Sequence, residues 1–203
     1  MVLGTHNSWS FGKPTNILLR PFWFIAKCQD LPIEHQYLMN SKIFDLRVWF
    51  DKKGDYKIRH GIMSFKNSLY KDLRFLNSME DCWVRVILES NSEPKDLNHQ
   101  KSCFYKFCSG LEDMFPNIKF FGGEGKWNWI KLYQFKNEDY PLIDKYSSTT
   151  SYFKLNCLRI LDDWYPRLYA KKYNRTNYEQ FKELDDDRCL FIDFINYVSN
   201  SNK

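Results

Sequence analysis

The run KIFDLRVWF, Lys42 to Phe50, decides the fold. Read as a strand, it sends alternate side chains to opposite faces, so Phe44, Leu46 and Val48 share one side while Asp45 and Arg47 share the other. The apolar face has to be covered. Charged side chains turned into a protein interior are costly unless they are paired, so the polar face needs a reason of its own.

Outward from this run, short β-rich stretches recur at VLGTHNSW, YKIRHG, CWVRVILES, IKFFGG, WIKLYQF, CLRILDDWY and RCLFIDFINYV, which together with KIFDLRVWF make eight candidate strands. Segments with helical periodicity separate several of them: Asn16 to Ala26, Ile33 to Asn40, Lys66 to Asn77, Asn98 to Met114 and Asn177 to Leu184. Strand alternating with helix predicts an α/β fold, a single distorted (β/α)8 TIM-like barrel over residues 1–203. The chain is shorter than the ~250 residues usual for that architecture, so some helices are expected to be short or missing. The turn signal Lys52-Lys53-Gly54-Asp55 is too brief to hold a helix, and the distortion is expected there.

At 43% hydrophobic and 18% aromatic content the chain can bury one sizeable core. The net charge of +5 arises from 30 basic and 25 acidic residues without a polybasic arm, which favours anionic ligands only mildly and gives no reason to expect nucleic acid. Six cysteines lie mostly within apolar runs and form no paired CxxC motif, as expected of free thiols in a reducing compartment. With LGTHNSW at Leu3 to Trp9 no secretory signal is expected, and the apolar stretch Pro21 to Ala26 is too short to span a bilayer. The expectation is a protein that is cytoplasmic or delivered without a signal peptide, with no transmembrane segment.

The ionisable residues fall at or near the ends of the candidate strands. His6 follows VLGT, His60 closes YKIRHG, Glu89 ends WVRVIL, Asp163 follows LRIL and Asp193 interrupts CLFIDFI, joining Asp45 and Arg47. The carboxyl ends of strands are where such barrels build their active sites. Two histidines and an arginine can supply a base, an acid and a cation over a phosphate, the kit that phosphodiester cleavage through an internal hydroxyl requires.

In order along the chain stand GTHNSW, WFIAKCQDLPIEHQYLMNSKIFDLR, RHG, WVRVILES, LDDWY and FIDFIN. This ordered set resembles the catalytic X domain of phosphatidylinositol-specific phospholipase C, particularly the single-domain bacterial type, over essentially the whole chain. The resemblance implies cleavage of phosphatidylinositol or a related inositol phospholipid to diacylglycerol and a cyclic inositol phosphate. His6 would be the general base, Asp193 its partner, His60 the general acid and Arg47 the phosphate clamp. Asn7 and Asp45 would complete the catalytic set, and Asp163, Tyr165 and Glu89 would serve substrate binding. The partner implied is a phospholipid at a membrane surface. Two alternatives are a phosphodiesterase of the same fold acting on a glycosylated lipid anchor or soluble diester, and an inactive lipid-binding module.

Two departures from the bacterial pattern stand out. Asn7 replaces an aspartate that helps hold the acid histidine, and Gln134 lies near the place of a sugar-binding arginine. Eukaryotic relatives use calcium, for which Asn7, Asp45 and Glu89 are counterparts. Arg47 stands where a further acidic ligand would be, so no metal cofactor is expected. The segment Ile17 to Lys27, with Trp23 at its centre, is expected at the membrane interface, whereas His35 and His99 are expected to be dispensable.

Overall fold

Strand β2 (Ser41–Phe50) is the centre of a seven-stranded sheet in the computed structural model, which describes residues 2–90, 94–126, 130–136, 166–182 and 189–199. Along one edge it pairs in parallel with β1 (Val2–Thr5) and then, beyond the end of that short strand, antiparallel with β3 (Tyr56–His60), Val48 opposite Ile58. β4 (Met63–Phe65) continues from β3 as a hairpin. Along the other edge β2 pairs in parallel with β5 (Trp83–Leu88), which in turn pairs with β6 (Lys119–Gly125). β7 (Cys189–Ile192) lies parallel to β1.

β6 and β7 stand at opposite ends of this order, yet Phe121 of β6 and Cys189 and Phe191 of β7 meet Ile43 of β2 in one buried cluster. The sheet therefore curls into a half-barrel with a concave side. Its convex side carries Phe44, Leu46 and Val48 of β2 with Val84, Val86 and Leu88 of β5. Helix α3 (Leu69–Asn77) covers them with Leu69, Leu73 and Leu76, and α4 (Leu97–Met114) with Phe104, Cys108 and Leu111. The three- and four-residue spacings put each set on one helical face.

A complete parallel (β/α)8 barrel is not what the described residues form. Asp51 to Asp55 reverse the chain tightly, with Asp51 N–H bonded to Asp55 O at 3.0 Å and Gly54 N–H to Asp51 O at 3.0 Å. A parallel crossover needs a dozen residues or more, so β3 returns antiparallel. The strand expected in WIKLYQF shrinks to a single bridge between Lys131 and Glu124. Gly122 and Gly123 have φ of 91° and 70°, and β6 slips register beside them. Leu132 and Tyr133 both donate to Gly123 O instead of forming a ladder, and a Cβ on Gly123 would lie 2.1 Å from Tyr133 O. The candidate strand CLRILDDWY lies outside the described residues.

Several helices are short, as expected from the chain length, although α4 is a full-length helix. Residues Ile17–Phe22 form a 3-10 turn containing Pro21, followed by one α-turn, α1 (Trp23–Ala26), in place of a continuous helix. α2 spans Ile33–Leu38, α5 spans Pro166–Lys182 and α6 spans Asn196–Ser199. α5 starts well before the segment expected at Asn177. Among the described residues no helix is long and apolar enough to cross a membrane, and Cys28, Cys82, Cys103, Cys108 and Cys189 are free thiols.

Trp9 is fully buried against Phe44, and its indole N–H donates to Asp72 Oδ2 at 2.9 Å. Burial pushes the Asp72 carboxyl up to about 6, although the Trp9 bond and Lys71 pull the other way. A carboxyl raised in the folded state contributes stability below its ordinary 3.8, and that contribution is lost as pH rises through 6. Asp72→Asn keeps an oxygen for Trp9 and removes the buried charge. It is expected to raise the melting temperature by roughly 2–4 °C at pH 7.5, with the gain gone below pH 4, as thermal unfolding across pH would show.

Candidate active site

The pairing of β1 with β7 delivers the first two groups. His6 directly follows β1 and its N–H bonds to Ile192 O at 3.0 Å, which sets it beside Asp193 just beyond β7. His6 Nδ1 lies 2.8 Å from Asp193 Oδ1. A carboxylate only accepts, so Nδ1 carries the proton and Nε2 holds the lone pair.

Gln29, fully buried, fastens this junction. Its Nε2 donates to His6 O at 3.1 Å and to Ile192 O at 2.9 Å, while its Oε1 accepts from Ile195 N–H at 3.2 Å. Phe194 takes φ of 48°, a conformation that bulky residues avoid. It is held there by its N–H on Cys28 O at 2.6 Å and by Asn174 Nδ2 on its carbonyl at 3.2 Å.

On the concave face of β2, Arg47 Nε donates to Asp45 Oδ2 at 2.8 Å and its Nη1 approaches Glu89 Oε2 at 3.4 Å. Its Nη2 lies 2.6 Å from His6 Nε2. Asp45 also accepts the N–H of Asn7 at 3.0 Å, and its own N–H donates to Ser8 Oγ at 2.7 Å. Glu89 Oε1 accepts from Gly61 N–H and from Lys126 Nζ, both at 2.9 Å. Burial alone would raise both carboxyls, but Arg47 holds Asp45 well below the usual range with help from Arg85 and His6, and holds Glu89 low together with Lys126.

β3, running back along β2, brings His60 opposite His6, ring centroids 6.0 Å apart and nearly perpendicular. His60 Nδ1 lies 2.9 Å from Ala26 O, an acceptor, so Nδ1 bears the proton. Burial, the Arg47 charge and His6 depress this imidazole to about 4 against the pull of Glu89. At neutral pH it rests uncharged. Beside it opens a groove of about 630 Å³ lined by Leu19, Phe22, Ile25, Ala26, Gly61, Ile62 and Met63.

The structure thus brings together His6, Asn7, Asp45, Arg47, His60, Glu89 and Asp193, whereas Asp163 and Tyr165 lie outside the described residues. Asn7 adopts φ of 46°, and neither atom of its buried amide has a hydrogen-bond partner among the described residues, nor does Asp45 Oδ1. His60 Nδ1 is held by the Ala26 backbone carbonyl and not by the Asn7 side chain. A calcium ion does not fit these residues. The guanidinium spans from Asp45 to Glu89, a permanent cation where the dication would stand, and calcium takes six to eight oxygens. Gln134 is exposed. Trp23 is half-buried with Lys27 Nζ 4.2 Å over its ring, and the side chains turned outward are Ile17, Leu18, Phe22 and Phe24. Gln29, Cys28 and Lys126 join the site without having been singled out by the strand-end pattern, although Gln29 and Cys28 stand within the quoted stretch WFIAKCQD.

No protein-family model and no curated protein sequence matches the chain. Solved structures do. A phosphatidylinositol-specific phospholipase C from Listeria monocytogenes superposes with a TM-score of 0.56 at 16% identity, covering 100% of this chain and 92% of that one. A variant of the phosphatidylinositol-specific phospholipase C from Staphylococcus aureus gives a TM-score of 0.60 at 15% identity, covering 100% and 91%. The chain has the fold of the bacterial phosphatidylinositol-specific phospholipases C.

The depressed His60 imidazole has a consequence for stability. Because the folded state resists the proton that the unfolded chain accepts near 6.5, stability is full above that pH and is lost as pH falls towards 4. His60→Asn is expected to lose less stability than the parent across this window in denaturant unfolding. Parallel curves would contradict the buried neutral imidazole.

Proposed function

We propose that the protein is a phospholipase C-like phosphodiesterase, cleaving phosphatidylinositol or a related inositol phospholipid to diacylglycerol and a cyclic inositol phosphate. The observation that supports this reading is a pair of imidazoles whose ring centroids stand 6.0 Å apart, with the Arg47 guanidinium against His6 and the Asp193 carboxylate behind it. His6 Nε2, its lone pair held available by the Asp193 bond to Nδ1, takes the proton from the hydroxyl next to the phosphate. That oxygen attacks phosphorus while Arg47 turns its donors to the phosphate oxygens. The bond to glycerol breaks, and His60 supplies the proton to the departing oxygen. An anionic phosphodiester beside His60 raises its proton affinity from the depressed resting state, and a low intrinsic value makes it a strong acid once charged.

The chemistry proceeds without calcium on this reading, because Arg47 supplies the positive charge over the phosphate. The apolar groove next to His60 suits the glycerol and first acyl carbons. The outward Ile17, Leu18, Phe22, Phe24 and Ile62 suit contact with a lipid surface, where apolar side chains beside bases anchor a protein. Trp23 is set aside for that role because it packs inward.

Turnover on phosphatidylinositol vesicles, run beside soluble inositol and glycerol phosphodiesters, tests the reading directly. His6→Ala and His60→Ala are each expected to lower turnover on the order of a hundredfold or more with the fold retained. His35→Ala and His99→Ala should be neutral. Activity only on the soluble diesters would identify another substrate, and no activity on any would leave a binding module.

EGTA is expected to leave turnover unchanged, whereas Arg47→Lys should lose much of it with the loss of the forked donor. Recovery of EGTA-treated protein by calcium would recast Asn7, Asp45 and Glu89 as ligands. For the surface, Leu18→Ala with Phe22→Ala should weaken vesicle binding while sparing a soluble substrate. Equal losses on both substrates would remove the interfacial role.

A further inference from the structure

Beneath the two histidines lies a thiol that the phosphodiesterase chemistry does not use. Cys28 is 1% exposed, and its Sγ stands 3.7 Å from His60 Nδ1. One ligand atom each from His6, Cys28 and Asp193 lie within 4.8 Å of one another. A thiolate, an imidazole and a carboxylate together form the donor set of a tetrahedral zinc-type ion and are foreign to calcium or magnesium, which take oxygen. Bonds of about 2.0–2.3 Å to such an ion place its ligands roughly 3.5 Å apart, so the present positions close on it with shifts of about 1 Å.

We propose that this cluster is a binding site for a thiophilic divalent cation of the zinc type, which blocks the active site by capturing His6 and Asp193. The blocking effect rests on the phosphodiesterase reading, whereas the binding does not. As the metal–sulfur bond forms, the Cys28 thiol releases its proton to solvent, and the ion replaces the proton that His6 and Asp193 share. One thiolate and one carboxylate neutralise the two charges of the ion, so the nearby Arg47 guanidinium does not oppose this complex as it would oppose calcium between Asp45 and Glu89. The three protein ligands leave a fourth position for water, with His60 alongside.

Cobalt reports the site directly. Reduced, chelator-treated protein titrated with Co²⁺ is expected to develop the near-ultraviolet thiolate-to-cobalt band and the visible bands of a tetrahedral ion at one per chain, and Zn²⁺ should displace both. Cys28→Ser should remove the thiolate band and weaken Zn²⁺ binding on the order of a hundredfold, and Asp193→Asn should weaken it with Cys28 still present. Cys103→Ser is the control, because Cys103 Sγ lies 3.7 Å from His99 Nε2, a second Cys–His pair among the described residues. It should change neither signal. If the Cys28 variant does not fold, the parent titration still decides, since absence of a thiolate band there overturns the site. A band that survives Cys28→Ser, or that vanishes in Cys103→Ser, overturns it equally. On phosphatidylinositol vesicles without cobalt, Zn²⁺ should halve turnover of the parent at the dissociation constant that its displacement of cobalt gives. A protein that binds cobalt through Cys28 but turns over no phosphodiester keeps the metal site and loses the phosphodiesterase reading.

Discussion

A permanently charged guanidinium buried at the heart of β2 organises everything around it. Arg47 is only 4% exposed, and such a charge is tolerable only if its donors are met. Asp45, Glu89 and the His6 ring meet them, and each of these partners is fixed by a different element. Asp45 comes from the same strand, Glu89 from the end of β5, and His6 from the end of β1. The pairing of those strands is thus also the pairing of these charges. Asp45, Glu89 and Asp193 are met by Arg47, Lys126 and the His6 ring, with the Arg85 charge adding to the hold on Asp45.

The hairpin of β3 and β4 gives the pocket two characters. β3 pairs with β2 from Tyr56 opposite Phe50 to Ile58 opposite Val48, so its carboxyl end runs back towards the level of Arg47. The antiparallel strand folds His60 back over Arg47 and sets Gly61, Ile62 and Met63 against the turn that holds Leu19 and Phe22. Polar chemistry lies on one side of His60 and an apolar groove on the other. A substrate with a charged head and a greasy tail matches that division.

Much of this could be read from the chain. The alternation in KIFDLRVWF placed Asp45 and Arg47 on one face, and strand-end positions marked His6, His60, Glu89 and Asp193 as a group, because two-residue periodicity and strand order are local properties. What escaped depended on contacts distant in sequence. Nothing near YKIRHG says that it pairs antiparallel, beyond the short turn before it. Gln29 looks like an ordinary polar residue until the carbonyls of His6 and Ile192 are seen on either side of its amide. Trp23 has the composition of an interfacial anchor, but the 3-10 turn ahead of it rotates Leu18 and Phe22 outward in its place. WIKLYQF has strand propensity, and the paired glycines of β6 turn the neighbouring backbone across it.

The bond between His6 and Asp193 joins side chains 187 positions apart. By contrast, β2 finds β3 across a tight turn, and β5 and β6 are separated by one helix. Contacts of long sequence separation close late in folding, because the entropy of the intervening chain must be given up before they return anything. The hairpin bearing His60 and the buried Arg47 can therefore form around β2 and β5 while β1 still lacks β7. On this order His6 gains the Asp193 carboxylate only when β7 docks beside β1, and a chain short of that step holds Arg47 and both imidazoles with Nδ1 of His6 unanchored.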